Sequence, residues 1–541
     1  MDLFIKLAML VVFFGVMIGV GLYCRRHATD VNGFVLGGRS VGPWLTAFAY
    51  GTSYFSAVVF VGYAGQFGWK YGIAATWAGI GNALLGSLLA WAVLGRRTRV
   101  MTQHLDSATM PQFFEKRFNS KALKLAASAI IFIFLIPYTA SLYNGLSRLF
   151  GMAFDIDYSV CVIIMAILTA VYVIAGGYMA TAINDFIQGI IMIVGICAVI
   201  GAVLKGQGGF LEALNKLGQV SDPAVSQTPG VFASFFGPDP VNLLGVVILT
   251  SLGTWGLPQM VQKFYAIKSE QAINKGMIIS TIFALIVAGG CYFLGGFGRL
   301  YAEDVTMNAA GTAPASFDAI IPAMLNSVEK SMGNGGAWLI GLVLILVLAA
   351  SMSTLSSLAM TSASTITLDL IAPLSRKQKS EKSNMIVMRL LLAASIIIAA
   401  AIAILVVSNG EMAKRLYISD LMGISWGALA GCFLAPFLYG LYWKKTTKAA
   451  VWASFATGLC ITLTQFILNA VLKISFENAV LKYFCGSSIN AGMLAMVVGL
   501  IMVPVVSLMT QKTKPQGTDE IFACYDRMVT VPAGTALENE D

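Results

Sequence analysis

The chain has 541 residues, 57% of them hydrophobic and only 11% charged, with a formal net charge of +9. Its mean hydropathy is +0.79, and soluble domains carry roughly twice this share of charge, about 25%. An ordinary soluble globular protein is therefore excluded. The apolar runs recur at lengths that cross a bilayer as helices, and they lack the alternating faces of soluble helices. The fold class expected is an all-α polytopic membrane protein.

In chain order, thirteen spans are predicted: 3–23, 44–67, 73–94, 124–150, 157–177, 184–204, 241–262, 276–300, 337–361, 386–408, 416–440, 447–471 and 488–510. The first is too long for the apolar region of a signal peptide and has no small-residue cleavage site, so it reads as a span. An outside N-terminus places about 24 of the 35 Lys and Arg on the inside, among them Arg39, Arg96, Arg97, Arg99, Lys263, Lys268 and Lys444. That bias sets the orientation, puts the C-terminus inside, and accounts for the basic balance without nucleic acid. The two long outer loops, 205–240 and 301–336, are expected to carry short surface helices.

The eight cysteines are scattered and form no C-x-x-C pair, which indicates neither a disulfide framework nor a zinc site. His27 and His104 fall in polar loops. No HExxH or GxxxxGK[ST] pattern occurs, and the GxSxG matches at 38–42 and 423–427 lie in a short loop and inside a predicted span, so the chain is read as a non-enzyme without an organic cofactor.

Two spans look broken. The second, "WLTAFAYGTSYFSAVVFVGYAG", has Gly51, Thr52 and Ser53 at mid-depth; the seventh, "LLGVVILTSLGTWGLPQMVQKF", has Gly253, Gly256 and Pro258 there. Gly and Pro inside a buried helix free backbone groups that something else must satisfy. Unwound helices near the midplane are where many transporters bind ions and substrate. The two broken spans lie five apart, the spacing of a repeat of five plus five helices, although simple kinks would leave the same signature.

Asp185 begins the sixth span, where a carboxylate is costly; it is either a functional group or a headgroup-level helix cap. In 349–369, ten of 21 residues are Ser or Thr. Ser353, Ser356 and Ser357 share a face, with Thr354 beside it and Ala350 one turn earlier. Such oxygens can replace the hydration shell of a small hard cation. They can equally let helices pack closely or bond back to their own backbone, and the residues alone leave these readings open.

"AASMSTLSSLAMTSASTITLDL" and "GGYMATAINDFIQGIIM" resemble signature segments of the sodium:solute symporter family. "YTASLYNGLSRLFG", "GLPQMVQKFYAIKSEQAINKG" and "GISWGALAGCFLAPFLYGLYWKKTTKAA" resemble it too, nearest its proline and pantothenate branches. The resemblance implies a leucine-transporter-type fold, with a 5+5 inverted repeat between one leading and two trailing helices. The implied divisions are 1–43, 44–206, 207–240, 241–440, 441–510 and a cytoplasmic tail, 511–541. It implies sodium-coupled symport of a small organic solute, such as an organic acid, amino acid or vitamin, across the cell membrane. The alternatives are a proton-coupled carrier of the same fold and a transporter-like channel or sensor.

Carried over by position, the resemblance implies a main sodium site from the carbonyls of Thr52, Phe55 and Ala350 and the hydroxyls of Ser353 and Thr354. A second would join Asp185 to Ser353, Ser356 and Ser357. The implied solute-binding residues are Ser53, Tyr54, Ser56, Tyr138, Ser141, Thr254, Trp255, Gln259 and Trp426. The sequence departs from the proline branch at Thr250 and Thr254, where that branch has aromatics, and at Tyr54, where it has Asp; these argue against proline. Arg148, a possible carboxylate clamp by type, lies in a general family motif near the outer helix end and is read as structural. The implied partners are a small-molecule solute and the lipid bilayer, with no nucleic acid, and a monomer is the state expected.

Overall fold

The computed structural model describes residues 2–526 except 25–30, 155, 224, 309–310, 372–380, 409–417, 473 and 475. A backbone inside hydrocarbon must close its own hydrogen bonds, and the described residues form helices, with isolated β-bridges only in loops. Among the described residues, ten helices are long and apolar enough to cross a membrane, eleven when one bent pair is counted as a span.

The first helix is α1 (Asp2–Cys24), followed by α2 (Pro43–Tyr54), α3 (residues 58–71), α4 (residues 76–104), α5 (Met110–Phe118), α6 (Lys121–Phe154) and α7 (Tyr158–Gly206). The second half contains α8 (Phe210–Gln219), α9 (Pro240–Leu252), α10 (Pro258–Ala266), α11 (Glu270–Gly295), α12 (Ile320–Met332), α13 (Gly336–Thr365) and α14 (Glu381–Ser408). Last come α15 (Ile418–Tyr442), α16 (Lys448–Phe466), α17 (Ser488–Met509) and the short α18 (Thr518–Phe522). The expected surface helices of the long loops are α8 and α12.

Local chemistry sets the ends. Proline, whose missing N–H costs nothing in a first turn, opens α2, α9 and α10. Asp239 and Ser269 cap α9 and α11 through the amides of Asn242 and Ala272. The predicted fifth and sixth spans run on as α7, which breaks at Gly177 with φ 61° and ψ −159°, a conformation open to glycine and not to a residue with a Cβ.

The most enclosed spans are α13 and α15, with 89% and 94% of their apolar windows buried; α1 has 17%, and α16 and α17 33% each. The hydroxyl-rich and Trp426-bearing helices thus form the centre, and the leading and trailing helices the periphery. Polar pairs sort by face. Lys6 pairs with Glu329 at 3.0 Å, joining the start of α1 to the segment after α11. Arg97 lies between the rings of Tyr442 and Tyr525, 4.2 and 4.4 Å away, so the described part of the tail folds back against α4 and α15.

At that same face Asp369, fully buried just beyond α13, accepts hydrogen bonds from Thr109 Oγ1 (2.7 Å) and Gln112 Nε2 (2.9 Å). Thr109 also caps α5, so a carboxylate fastens α13 to a helix N-terminus, where its charge is favoured. Asp369→Ala strands both partners and is expected to cost about 2–3 kcal/mol, read as a lower midpoint in thermal unfolding; Asp369→Asn should recover part of it. An unchanged midpoint for Asp369→Ala would refute the fastening role.

Candidate functional site

The core site is built where two helices break. The first break differs from expectation: Gly51, Thr52 and Ser53 stay helical, and the chain leaves helical geometry at Phe55 (φ −96°, ψ 110°). Gly51 instead serves packing, since a Cβ there would overlap the Phe283 ring. Ser56 restarts the chain, its hydroxyl accepting from Val58 N (3.2 Å) and its carbonyl from Val59 and Phe60 N. The freed Ala57 N–H donates to Ser351 Oγ of α13 at 3.1 Å. The second break falls as expected, between α9 and α10, with a 42° bend. Leu257, before Pro258, is extended because proline disfavours helical geometry in its predecessor.

The hydroxyls of α13 meet the broken α2 directly. Ser353 Oγ donates to Thr52 Oγ1 (2.7 Å); Thr354 Oγ1 lies 3.2 Å from the Thr52 carbonyl and 3.1 Å from that of Ala350. All four residues are fully buried. Phe55 sits at the break, so its carbonyl lies outside the helical ladder. Thr52, Ala350, Ser353 and Thr354 thus converge as neutral oxygens with spare lone pairs, a donor set that fits a hard monovalent cation.

The second set is arranged differently. Asp185 is fully buried, with the Ser353 hydroxyl beside its carboxylate. Ser356 bonds back to the Ser353 carbonyl (2.8 Å). Ser357 Oγ lies 2.9 Å from Ser53 Oγ and accepts from Lys263 Nζ at 3.1 Å. Lys263 Nζ stands 4.0 Å from Asp185 Oδ2 and 5.1 Å from the Tyr178 ring centre. This corrects the placement of Lys263 among the inner-loop charges: α10 continues to Ala266, and Lys263 is 3% exposed. Sequence offered one hint, a buried Asp185 in want of a counter-charge. Farther along, Thr361 bonds Gln262 (3.1 Å) and Ser364 bonds its own helix, which is packing.

The expected solute residues fall into three groups. Tyr138 and Trp426 meet edge to face, with ring centres 5.9 Å apart. The Tyr138 hydroxyl and the Trp426 indole N–H are buried beside one another, and both amide atoms of Gln259 are buried without a hydrogen-bond partner among the described residues. Thr254 and Trp255 are held by α4, bonding the Gly86 and Leu85 carbonyls at 3.1 and 2.9 Å. Ser141 bonds the Tyr138 carbonyl, Ser53 the Ala49 carbonyl, and Ser56 caps α3. The side chains of Tyr54 and Arg148 lie outside the described residues. Sequence reading missed Tyr63, whose buried hydroxyl has no hydrogen-bond partner among the described residues, and Tyr292, buried beside Asn82 and Thr250. A tyrosine in an apolar run carries no distinguishing signal. Buried polar groups with few partners are uncommon, and polar tips set among aromatic rings, as at Tyr138 and Trp426, suit a small polar ligand.

Apolar spans around a polar centre at two helix breaks define a multi-pass membrane transport protein. Residues 34–458 match the sodium:solute symporter family, and the chain belongs to it. It is thus a symport protein of the cell membrane. It is 28% identical to the osmoregulated proline transporter OpuE of Bacillus subtilis over 96% of this chain and 97% of that one. A sodium/proline symporter of Staphylococcus aureus is 29% identical over 84% of each chain. In fold it resembles the solved, substrate-bound, outward-open form of a Na+-coupled sialic acid symporter: TM-score 0.68, 19% identity, 93% of this chain and 97% of that one.

Proposed function

We propose that the chain carries a small polar organic solute into the cell, coupled to inward sodium flow by alternating access. The observation that carries this is the contact of Ser353 and Thr354 with Thr52 at the break of α2. Sodium at Thr52, Phe55, Ala350, Ser353 and Thr354 would tie α13 to α2 and favour the solute-competent state. A ligand shifts such an equilibrium only through unequal affinity for its states, and the membrane potential adds about 2.3 kcal/mol per charge per 100 mV.

The proposed architecture has thirteen spans, an outside N-terminus and an inside C-terminus, with five-helix repeats over 44–206 and 241–440. The Lys6–Glu329 pair and the Arg97–Tyr525 contact support that sidedness, each joining segments assigned to one face. For the solute, the named relatives put proline ahead of pantothenate. Thr250 and Thr254, with hydroxyls turned to the carbonyls of Val246, Gly86 and Ser251, support a pocket reshaped from theirs. Tyr138, Trp426 and Gln259, with Tyr63, are the proposed contacts. A proton-coupled carrier is the second reading, favoured by the buried Lys263 beside Asp185.

The test is thermal unfolding of purified protein with proline, other amino acids, small carboxylates and pantothenate, in sodium or potassium. The true solute should raise the midpoint in sodium and little in potassium; equal shifts in both would remove sodium coupling. Trp426→Ala is expected to weaken the solute-induced shift by at least about tenfold in concentration, or 1.4 kcal/mol, while keeping the sodium response. Full solute response in that variant would take Trp426 out of the pocket.

A further inference from the structure

We propose that Lys263 is a tethered cation filling the second ion position of the core, so that the resting carrier binds one sodium ion rather than two. This rests on the sodium reading above and goes beyond it in fixing the count. Long cationic side chains are almost never fully buried unless paired, and the Lys263 side chain is 4% exposed against 1% for Asp185. Its ammonium spans the Asp185 carboxylate, the Ser357 hydroxyl and the Tyr178 ring face, the anion, oxygen and π-face that a free cation would seek.

Oxygen bookkeeping points the same way. A serine hydroxyl has one proton and two lone pairs. Ser53 gives its proton to the Ala49 carbonyl, so Ser357 donates to Ser53 and accepts from Lys263. Ser356 gives its proton to its own helix, and Ser353 gives its own to Thr52 within the main site. Of the four residues expected to hold a second sodium, Asp185 and Ser357 face Lys263, and Ser353 is shared with the first site. A second sodium would lie among these oxygens beside a like charge in a water-poor core, where repulsion is strong. The main set is tied together from neutral groups: Ser353 and Thr354 reach Thr52, Thr354 reaches Ala350, and Lys263 is turned instead to Ser357 and Asp185.

The arrangement also has a structural consequence. Lys263 stands on α10, the second half of a broken helix, and reaches α7 through Asp185 and α13 through Ser357. Ser357 in turn reaches α2 through Ser53. A side chain that cannot diffuse away thus joins the elements a second sodium would join, and it holds the Asp185 charge without an ion from solution.

The experiment counts sodium: equilibrium binding of radioactive 22Na+ to the purified full-length protein, for wild type, Lys263→Gln and Lys263→Gln/Asp185→Asn. One ion per chain is expected in the wild type, two in Lys263→Gln, and one again in the double variant, whose neutral pair leaves no buried lone charge. Two ions in the wild type overturn the proposal without any variant. A count of one in a monodisperse, cooperatively melting Lys263→Gln also overturns it. If Lys263→Gln does not fold, the wild-type count decides alone. Zero in the wild type with one in Lys263→Gln would refute the main sodium site yet uphold the tethered cation; zero in both overturns both.

Discussion

Removing the hydroxyls of Ser353 and Thr354 together is expected to raise the sodium concentration for half-maximal stabilisation about 100-fold. Contacts between polar groups and a charge are worth about 1.5–3 kcal/mol each, and every 1.4 kcal/mol is tenfold. Two lost ligands, partly offset by relaxation of the site, correspond to roughly 3 kcal/mol. Thr354→Ser keeps the oxygen and should cost far less than Thr354→Val, which keeps the shape and loses it. That contrast separates ligation from packing, because Val fills the space between α13 and α2 as well as Thr does. The measurement is a sodium titration of the melting midpoint in constant ionic strength, with sodium-dependent uptake in vesicles beside it. Unchanged sodium dependence in the double Ala variant would remove these hydroxyls from the ion site.

The outcome at each position shows what the sequence could and could not reveal. Long apolar runs have few alternatives in a bilayer, so the helices were legible, as was the break at Pro258, where a missing N–H and a ring clash act locally. The break in α2 was placed a few residues early because Gly51 suggested flexibility. Its lack of a side chain in fact admits Phe283, and the actual interruption at Phe55 is maintained from another helix, by Ser351 taking the Ala57 amide. Lys263 was illegible for a related reason. Counting charges near span ends treats every Lys as loop-facing, and only the tertiary placement of α10 brings it to Asp185 and Ser357. The juxtaposition of Ser353 with Thr52, 301 positions apart, came from a family resemblance; periodicity alone could only put the hydroxyls on one face.

The largest stability effect is expected where α3 meets α11. A Cβ added at Gly68 would overlap the Gly295 carbonyl, and one added at Gly295 would overlap the Ala64 carbonyl. The helices therefore touch backbone to backbone, the close approach that small residues permit in membranes, where lipid is as apolar as a side chain and packing supplies the attraction. Neither obstacle is a flexible side-chain tip, so a substitution must part the helices. Overpacking of a core typically costs about 1–3 kcal/mol, and rigid backbone on both sides places Gly68→Val at or above the upper end. The control is Gly201→Ala, in the last two turns of α7 with nothing within 4 Å of the added carbon, where the better helix former should be neutral or slightly stabilising. In thermal unfolding, Gly68→Val should melt well below wild type and Gly201→Ala should not; equal midpoints would refute the contact. The effect should extend to sodium. α3 begins where the broken helix resumes at Ser56, so parting α3 from α11 shifts the segment that carries Phe55 and Thr52 relative to α13. Solubilised Gly68→Val is thus expected to need more sodium for half-maximal stabilisation even though it alters no proposed ligand.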